Sequence, residues 1–413
     1  MKFDTIIIGG GLSGLTAAVS LAEKGVKVAV ASAGRSALLF NSGSFGLLGF
    51  DDSHNEINDW KKSLSQLLPT THPYSRIGVD NIPALAEDAV SLLSRCGLNF
   101  QTLPEGINHN RVSPLGISRP AWLTLDNILS ENSALENRHI AMIGIAGFLD
   151  FYPRFIAASL NGKGCQCDVF TVDTPDLKAV RSSESEMRAV NIGRVLHGFA
   201  LKSFAEEIKK LNIPSDATIV IPAVVELSEL DVLQELLQRP VLFAPTLGVS
   251  LPGIYIHSML VRRLVELGGR ILNGHRVVGA KFEKNKLVGV MSDKLDDDML
   301  VADNYIFAAG SFFSHGLIAK PDSIVEPMLG LDVEAPAGRS TWFASDLFGS
   351  QPVMKAGIAT DDEFRAKRGG NVVTNVFAVG STLSGADSVR EESGAGIAML
   401  TAMSVADTIL KQN

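Results

Sequence analysis

The chain has 413 residues, 46% of them hydrophobic and 20% charged, with a formal net charge of −8. That length suits a large core and two domains, one of which can interrupt the other. The acidic balance argues against nucleic acid or an anionic lipid surface as the main partner, and no run approaches the roughly 18 apolar residues of a membrane helix.

Residues Asp4 to Ile8 form an apolar strand that runs into Gly9-Gly10-Gly11-Leu12-Ser13-Gly14 and then a small-residue helix from Leu15 to Lys24. A second strand, Val26 to Val30, follows Gly25. One apolar strand directly behind a single lysine and Asp4 argues against a signal peptide, so the expected compartment is the cytoplasm. In the Gly-x-Gly-x-x-Gly turn, Gly9 permits the tight bend, Gly11 lets a phosphate approach the backbone, and Gly14 lets the helix pack on the strand. Leu12 and Ser13 open the helix, whose free N–H groups and dipole favour an anion. The acidic residue expected about 20 positions further on, where it would grip an adenosine ribose, is missing. Ser32 and Arg35 stand there instead, which favours FMN, with FAD as the alternative. The loop that follows, with Ser42, Gly43 and Ser44, is suited to the edge of a flavin ring; a plain serine-rich surface loop is the other reading.

From about Asp51 to Pro252 the character changes, with helical patterns at Pro83–Cys96 and Phe199–Leu211. Ile140 to Gly147, the helix pattern Phe151–Leu160 and the strand Cys167–Val172 resemble a second strand–helix unit with only two glycines. A scaffold turn and a second nucleotide site both fit it. Cys165-Gln166-Cys167 lacks the spacing of a metal or iron–sulfur site, and no metal is expected. Beyond Gly253 come a helix (Ile256–Leu267), a strand at Arg270–Leu272, a hairpin around Leu287–Val290, a buried strand Tyr305–Ala309 and another at Asn375–Val379. Valine-, isoleucine- and phenylalanine-rich runs that stop at glycine suit a parallel sheet covered on both faces. The expected fold is therefore α/β: a Rossmann-like FAD/NAD(P)-binding domain, residues 1–50 plus 253–413, with a large α/β domain, 51–252, inserted.

Gly310, Gly380 and Ser381 end two of those strands and so belong at the same rim of the sheet. His315, on that rim among small residues, is the best placed of the eight histidines for acid–base work. Gly394 and Gly396 open the last helix, whose N–H groups suit a negatively charged reduced flavin. Arg119 and Arg339 are candidate substrate-phosphate contacts by chemistry.

Taken together, these residues resemble a two-dinucleotide-binding flavoprotein related distantly to fumarate reductase and succinate dehydrogenase flavoproteins. More closely, the strings Arg35-Ser36-Ala37-Leu38, His72-Pro73-Tyr74-Ser75, Arg111-Val112-Ser113-Pro114-Leu115-Gly116, Gly310 to Leu317 and Glu326 to Val333 resemble the B subunit of anaerobic glycerol-3-phosphate dehydrogenase. The resemblance implies an FMN-containing subunit of a complex that oxidises sn-glycerol 3-phosphate to dihydroxyacetone phosphate. Electrons would pass to quinone and on to fumarate or nitrate. It implies as partners an FAD-binding A subunit together with a membrane-associated iron–sulfur C subunit, and a place at the cytoplasmic face of the inner membrane through that complex. Ser381 departs from the acidic residue that related FAD enzymes carry after the same strand. Two alternatives stay open: a non-catalytic relay or assembly subunit of that complex, and an independent FAD-dependent oxidoreductase.

Overall fold

The computed structural model describes residues 2–67, 71–104, 106–180, 187–295 and 298–412. The first elements are β1 (Lys2–Ile8), α1 (Leu12–Ala22) and β2 (Val28–Ser32). The middle of the chain supplies β3 (His139–Ile145), β4 (Gln166–Val172), α2 (Ala189–Val195), β5 (Thr218–Pro222) and β6 (Val241–Ala244). Then follow α3 (Leu251–Glu266), β7 (Arg270–Asn273), β8 (Val277–Glu283), β9 (Lys286–Ser292) and β10 (Met299–Phe307). The last are β11 (Arg365–Arg368), β12 (Asn371–Ala378) and α4 (Gly394–Gln412).

Five strands run parallel in the order β7-β2-β1-β10-β12. The register sets Ile6 beside Tyr305 and Ala29, and Ile8 beside Phe307 and Ala31. β8 and β9 extend the sheet as an antiparallel ribbon on β10, and β11 pairs antiparallel with β12. Ile6, Ile7, Val30, Tyr305, Ile306, Phe307 and Phe377 are buried, as strands covered on both faces require. β1 lies at the centre: the chain leaves it first towards β2 and later returns to build β10 on its other side. The carboxyl ends of β1 and β10 therefore flank a switch of direction, where open α/β sheets leave a crevice. α1 packs on β1 and against α4, and the buried Ala17, Ala18 and Ala22 of α1 and Ala402 and Ala406 of α4 suit close helix packing.

A second, smaller sheet lies within residues 139–244, four parallel strands in the order β6-β5-β3-β4. It repeats the same logic, since the chain moves from β3 to β4 and then crosses back to β5. The rest of the inserted segment packs elsewhere. The helix Ile82–Arg95 lies on α4, and Leu123–Leu125 pairs with Ser44–Phe45 and with Phe100–Gln101.

Asn375 on β12 fastens the ribbon to the parallel sheet. Its amide donates to the carbonyls of Leu287 and Asp303, each at 3.0 Å, and its oxygen accepts the Leu287 N–H at 2.9 Å, all in the buried interior. Asn375→Ala leaves these backbone groups unpaired, each costing about 1–3 kcal/mol. The expected result is an unfolding free energy lower by about 3 kcal/mol or more, seen as a lower urea midpoint at an unchanged denaturant slope.

Candidate functional site

A cavity of about 1030 Å³ runs along the carboxyl ends of the five parallel strands. In sheet order its wall comes from His275 to Val278 after β7, Ala31 to Ser36 at β2, Ile8 to Ser13 after β1, Ala308 to Gly310 with Ser314 and His315 after β10, and Ser381 after β12 with Gly394, Ala395 and Ala398 of α4. Four inter-strand steps of about 4.8 Å make that course roughly 19 Å long.

At its centre is the glycine turn. Gly9 has φ of +117°, and a Cβ there would run into the Ala308 carbonyl. A Cβ at Gly14 would strike the Gly9 carbonyl, so helix and strand meet backbone to backbone. Gly11 differs: its φ of −83° suits any residue, and the nearest atom to a Cβ would be Ser36 Cβ at 3.9 Å. Its missing side chain faces the cavity. Gly11 is the N-cap of α1, no side chain caps the helix, and its first turn holds no acidic residue. The first N–H groups therefore point into the cavity without an internal acceptor, which suits a phosphate or pyrophosphate.

Of the residues singled out from sequence, Gly9, Gly11, Leu12, Ser13, Ser32, Arg35, Gly310, His315, Ser381 and Gly394 line this cavity. Ser32 reaches it with its hydroxyl donating to the Gly34 carbonyl at 3.0 Å. Gly14, Ser42, Gly43, Ser44, Gly380 and Gly396 lie behind the wall. Gly43 packs on Ile128 and Pro252, and its N–H is held by Asn41 Oδ1 at 2.8 Å. Ser44 is buried, its hydroxyl 2.9 Å from Thr124 Oγ1, which is itself 2.7 Å from His109 Nε2. Gly380 donates to Thr401 Oγ1 at 2.9 Å and sits against Ser13. Gly396 donates to the Gly46 carbonyl at 2.9 Å and packs on Leu47 and Tyr74.

The two arginines proposed for substrate phosphate are engaged elsewhere. Arg119 pairs with Glu392, Nε to Oε1 at 2.7 Å, and lies over the Phe50 ring at 4.9 Å. Arg339 stacks over Trp342 at 4.5 Å and donates to the Lys320 carbonyl at 3.4 Å. The arginines that do line the cavity are Arg35 and Arg276.

Two buried carboxylates shape the wall from behind. Glu326 accepts the N–H groups of Met328, Leu329 and Leu331 at 2.6, 2.8 and 3.1 Å, fixing the turn that sets Pro327 and Met328 on the cavity. Burial pushes the Glu326 carboxyl up from the ordinary carboxylate range, against the pull of those N–H groups. Glu391 accepts from His72 Nε2 at 3.1 Å, Ser393 Oγ at 2.9 Å and the Asp387 N–H at 3.1 Å. Burial would raise its pKa, but the His72 and Ser393 bonds hold it below the usual range. His72 Nδ1 accepts the Tyr74 N–H at 3.1 Å, so its proton is on Nε2. This network seats the turn that opens α4. The strand order is what brings His275 to Val278 into the wall, and a sequence read element by element does not carry it.

The chain matches the model of the FAD binding domain family over residues 4–397. It is 38% identical over 421 residues to the B subunit of anaerobic glycerol-3-phosphate dehydrogenase from Yersinia pseudotuberculosis, covering 100% of this chain and 99% of that one. It is 36% identical to the protein of the same name from Pectobacterium atrosepticum, with the same coverage. Among solved structures, a mutant of E. coli quinol fumarate reductase aligns over 100% of this chain and 70% of its own, at 11% identity and a TM-score of 0.45.

His109, behind the wall, makes the pH dependence of folding testable. Among the described residues its Nδ1 has no partner, and burial pushes its pKa down to about 4. An unfolded histidine titrates near 6.5, so between pH 6.5 and 4 the unfolded chain binds a proton that the folded chain refuses, and stability falls as pH falls. His109→Gln should remove that contribution, at most about 3 kcal/mol, read as the difference between urea midpoints at pH 7 and pH 4.5 in the two proteins.

Proposed function

The chain belongs to the FAD-binding-domain family and, within it, to the B subunits of anaerobic glycerol-3-phosphate dehydrogenase, and on that footing we propose that the larger cavity holds its flavin and that the flavin is FAD. The observation that carries this is the course of the cavity. The glycine turn is in the middle of the row of strand ends, with two strands' worth of wall on either side. A mononucleotide has its ring system on one side of the phosphate only. A dinucleotide has one on each side, and its pyrophosphate suits the turn. FMN, favoured by the missing ribose carboxylate, would leave the Ser32 and His275–Val278 end unfilled.

In this reading the α1 N-terminus and the Gly11 gap hold the pyrophosphate, Ser32 and Arg35 face the adenosine half, and the start of α4 faces the ring. When bound, the flavin supplies the acceptor for the hydride that leaves carbon 2 of sn-glycerol 3-phosphate, giving dihydroxyacetone phosphate. His315 takes the hydroxyl proton. Arg35 and Arg276, the arginines that line the cavity, lie at its adenosine end, away from the ring. Arg119 and Arg339 have no part in holding the substrate's phosphate. Electrons go on through two partners, an FAD-binding A subunit together with a membrane-associated iron–sulfur C subunit, towards quinone and then fumarate or nitrate. Among the described residues no helix is long and apolar enough to cross a membrane; in the proposal the chain meets the cytoplasmic face of the membrane through the iron–sulfur partner.

Two substitutions test this. Gly11→Ala places a methyl in open space at an ordinary φ, so the fold should keep its stability to within about 0.5 kcal/mol. Flavin content, measured by absorbance and by the mass of the released cofactor, should drop at least tenfold. Full flavin content in the variant would refute the placement at the glycine turn, and released FMN would refute the FAD assignment. His315→Asn should keep its flavin but lose about 100-fold in anaerobic reduction by glycerol 3-phosphate. A wild-type flavin that this substrate does not reduce would instead make the chain an electron relay.

A further inference from the structure

A second cavity, of about 670 Å³, lies on the other side of Arg35. Gly34 and Arg35 line both cavities. The rest of its wall comes from α2, the turn after β5, α3, Leu39 and the end of β7 at Asn273 and Gly274. The turn after β5 is at the carboxyl end of the smaller sheet, on the flank where the chain switches direction between β3 and β5. Doubly wound sheets bind their ligands in such a crevice. α2 is fixed over that end of the sheet by Asp150, in the loop after β3, which pairs with Arg188 and accepts the Ala189 N–H at 3.2 Å.

The polar groups that meet in this cavity include Arg35, Arg194, Glu226, Ser228, Tyr255 and His257, with Ser258 and Asn273 beside them. Among the described residues no ion pair or hydrogen bond holds Arg35 or Arg194, unlike Arg119, Arg188 and Arg263, each of which pairs with a carboxylate. Two unpaired guanidinium groups against one carboxylate give the cavity a net positive charge, with hydroxyls beside it. Guanidinium forks match phosphate oxygens.

We propose that this cavity is a second ligand site and that it takes a small phosphate monoester, its phosphate on Arg194 and Arg35 and its organic part against Ser228 and Tyr255. The site is distinct from the flavin cavity and is wired to it. Arg35 stands in both walls, and His257, in the wall of the second cavity, lies close to the main chain of Gly10 in the glycine turn. A phosphate bound here draws Arg35 to its side, so occupancy should register at the flavin.

The test is a phosphorus-NMR titration of the flavin-loaded full chain with glycerol 2-phosphate, which has no phosphate-adjacent secondary alcohol to oxidise, and separately with AMP. Saturable line broadening by either compound, weakened at least tenfold in Arg194→Ala while flavin content stays at the wild-type level, is the expected result. The two arms tell a polyol phosphate from a nucleotide. No saturable broadening with either, or equal affinity in Arg194→Ala, overturns the proposal. Arg194-dependent binding to a chain that takes up no flavin would leave this site standing and remove the flavin reading alone.

Discussion

The site depends on one close contact, where the backbone of the glycine turn is pressed between two other stretches of backbone. The Gly9 α-carbon rests on the Ala308 carbonyl and the Gly14 α-carbon on the Gly9 carbonyl. Side chains at these positions would hold the helix off the strand and the two central strand ends apart. With them absent, the N-terminus of α1 is drawn down to the edge of the sheet, between the ends of β1 and β10, and its unpaired N–H groups open into the crevice that the chain's change of direction leaves there. Every other part of the wall is arranged around that point.

The far end of the wall is held by a different kind of force. The approach to α4 is anchored by two carboxylates: buried Glu391 to His72, Ser393 and the main chain, and half-buried Glu392 to Arg119 and Arg111. The Glu391 carbonyl in turn accepts the N–H groups of Gly49 and Phe50. Segments near residues 50, 72 and 119 thus converge on one turn near residue 391. Arg119, suited by its chemistry to a substrate phosphate, instead helps seat a helix.

The opening strand–turn–helix unit was legible because its signals are local: an apolar run, three glycines at fixed spacing and a small-residue helix lie within 24 residues. Most later strands were legible for the same reason, as buried runs stopped by glycine. What is not local was lost. Ser44 looked like part of a polar loop open to a ligand, yet it is buried on Thr124, 80 positions away. The carboxylate that neutralises Arg119 is 273 positions distant. His275 to Val278 carry no motif and reach the cavity through strand order; the turn at Pro327 is part of a family string, but its place in the wall is set by the Glu326 carboxylate. The preference for FMN rests on the family resemblance and on two missing acidic side chains, at Ser32 and Ser381, each a local fact. The argument for FAD rests on the succession of five strand ends, which no single stretch of sequence contains.

The wall supplied by Gly394, Ala395 and Ala398 has a temporal consequence. On the ribosome these residues are polymerised after every other contributor to the pocket, and the turn that orients them needs partners made some 270 to 340 positions earlier. The end of the cavity beside α4 therefore closes only once translation has passed Ala398, whereas the glycine turn at its centre needs no partner later than Ala309.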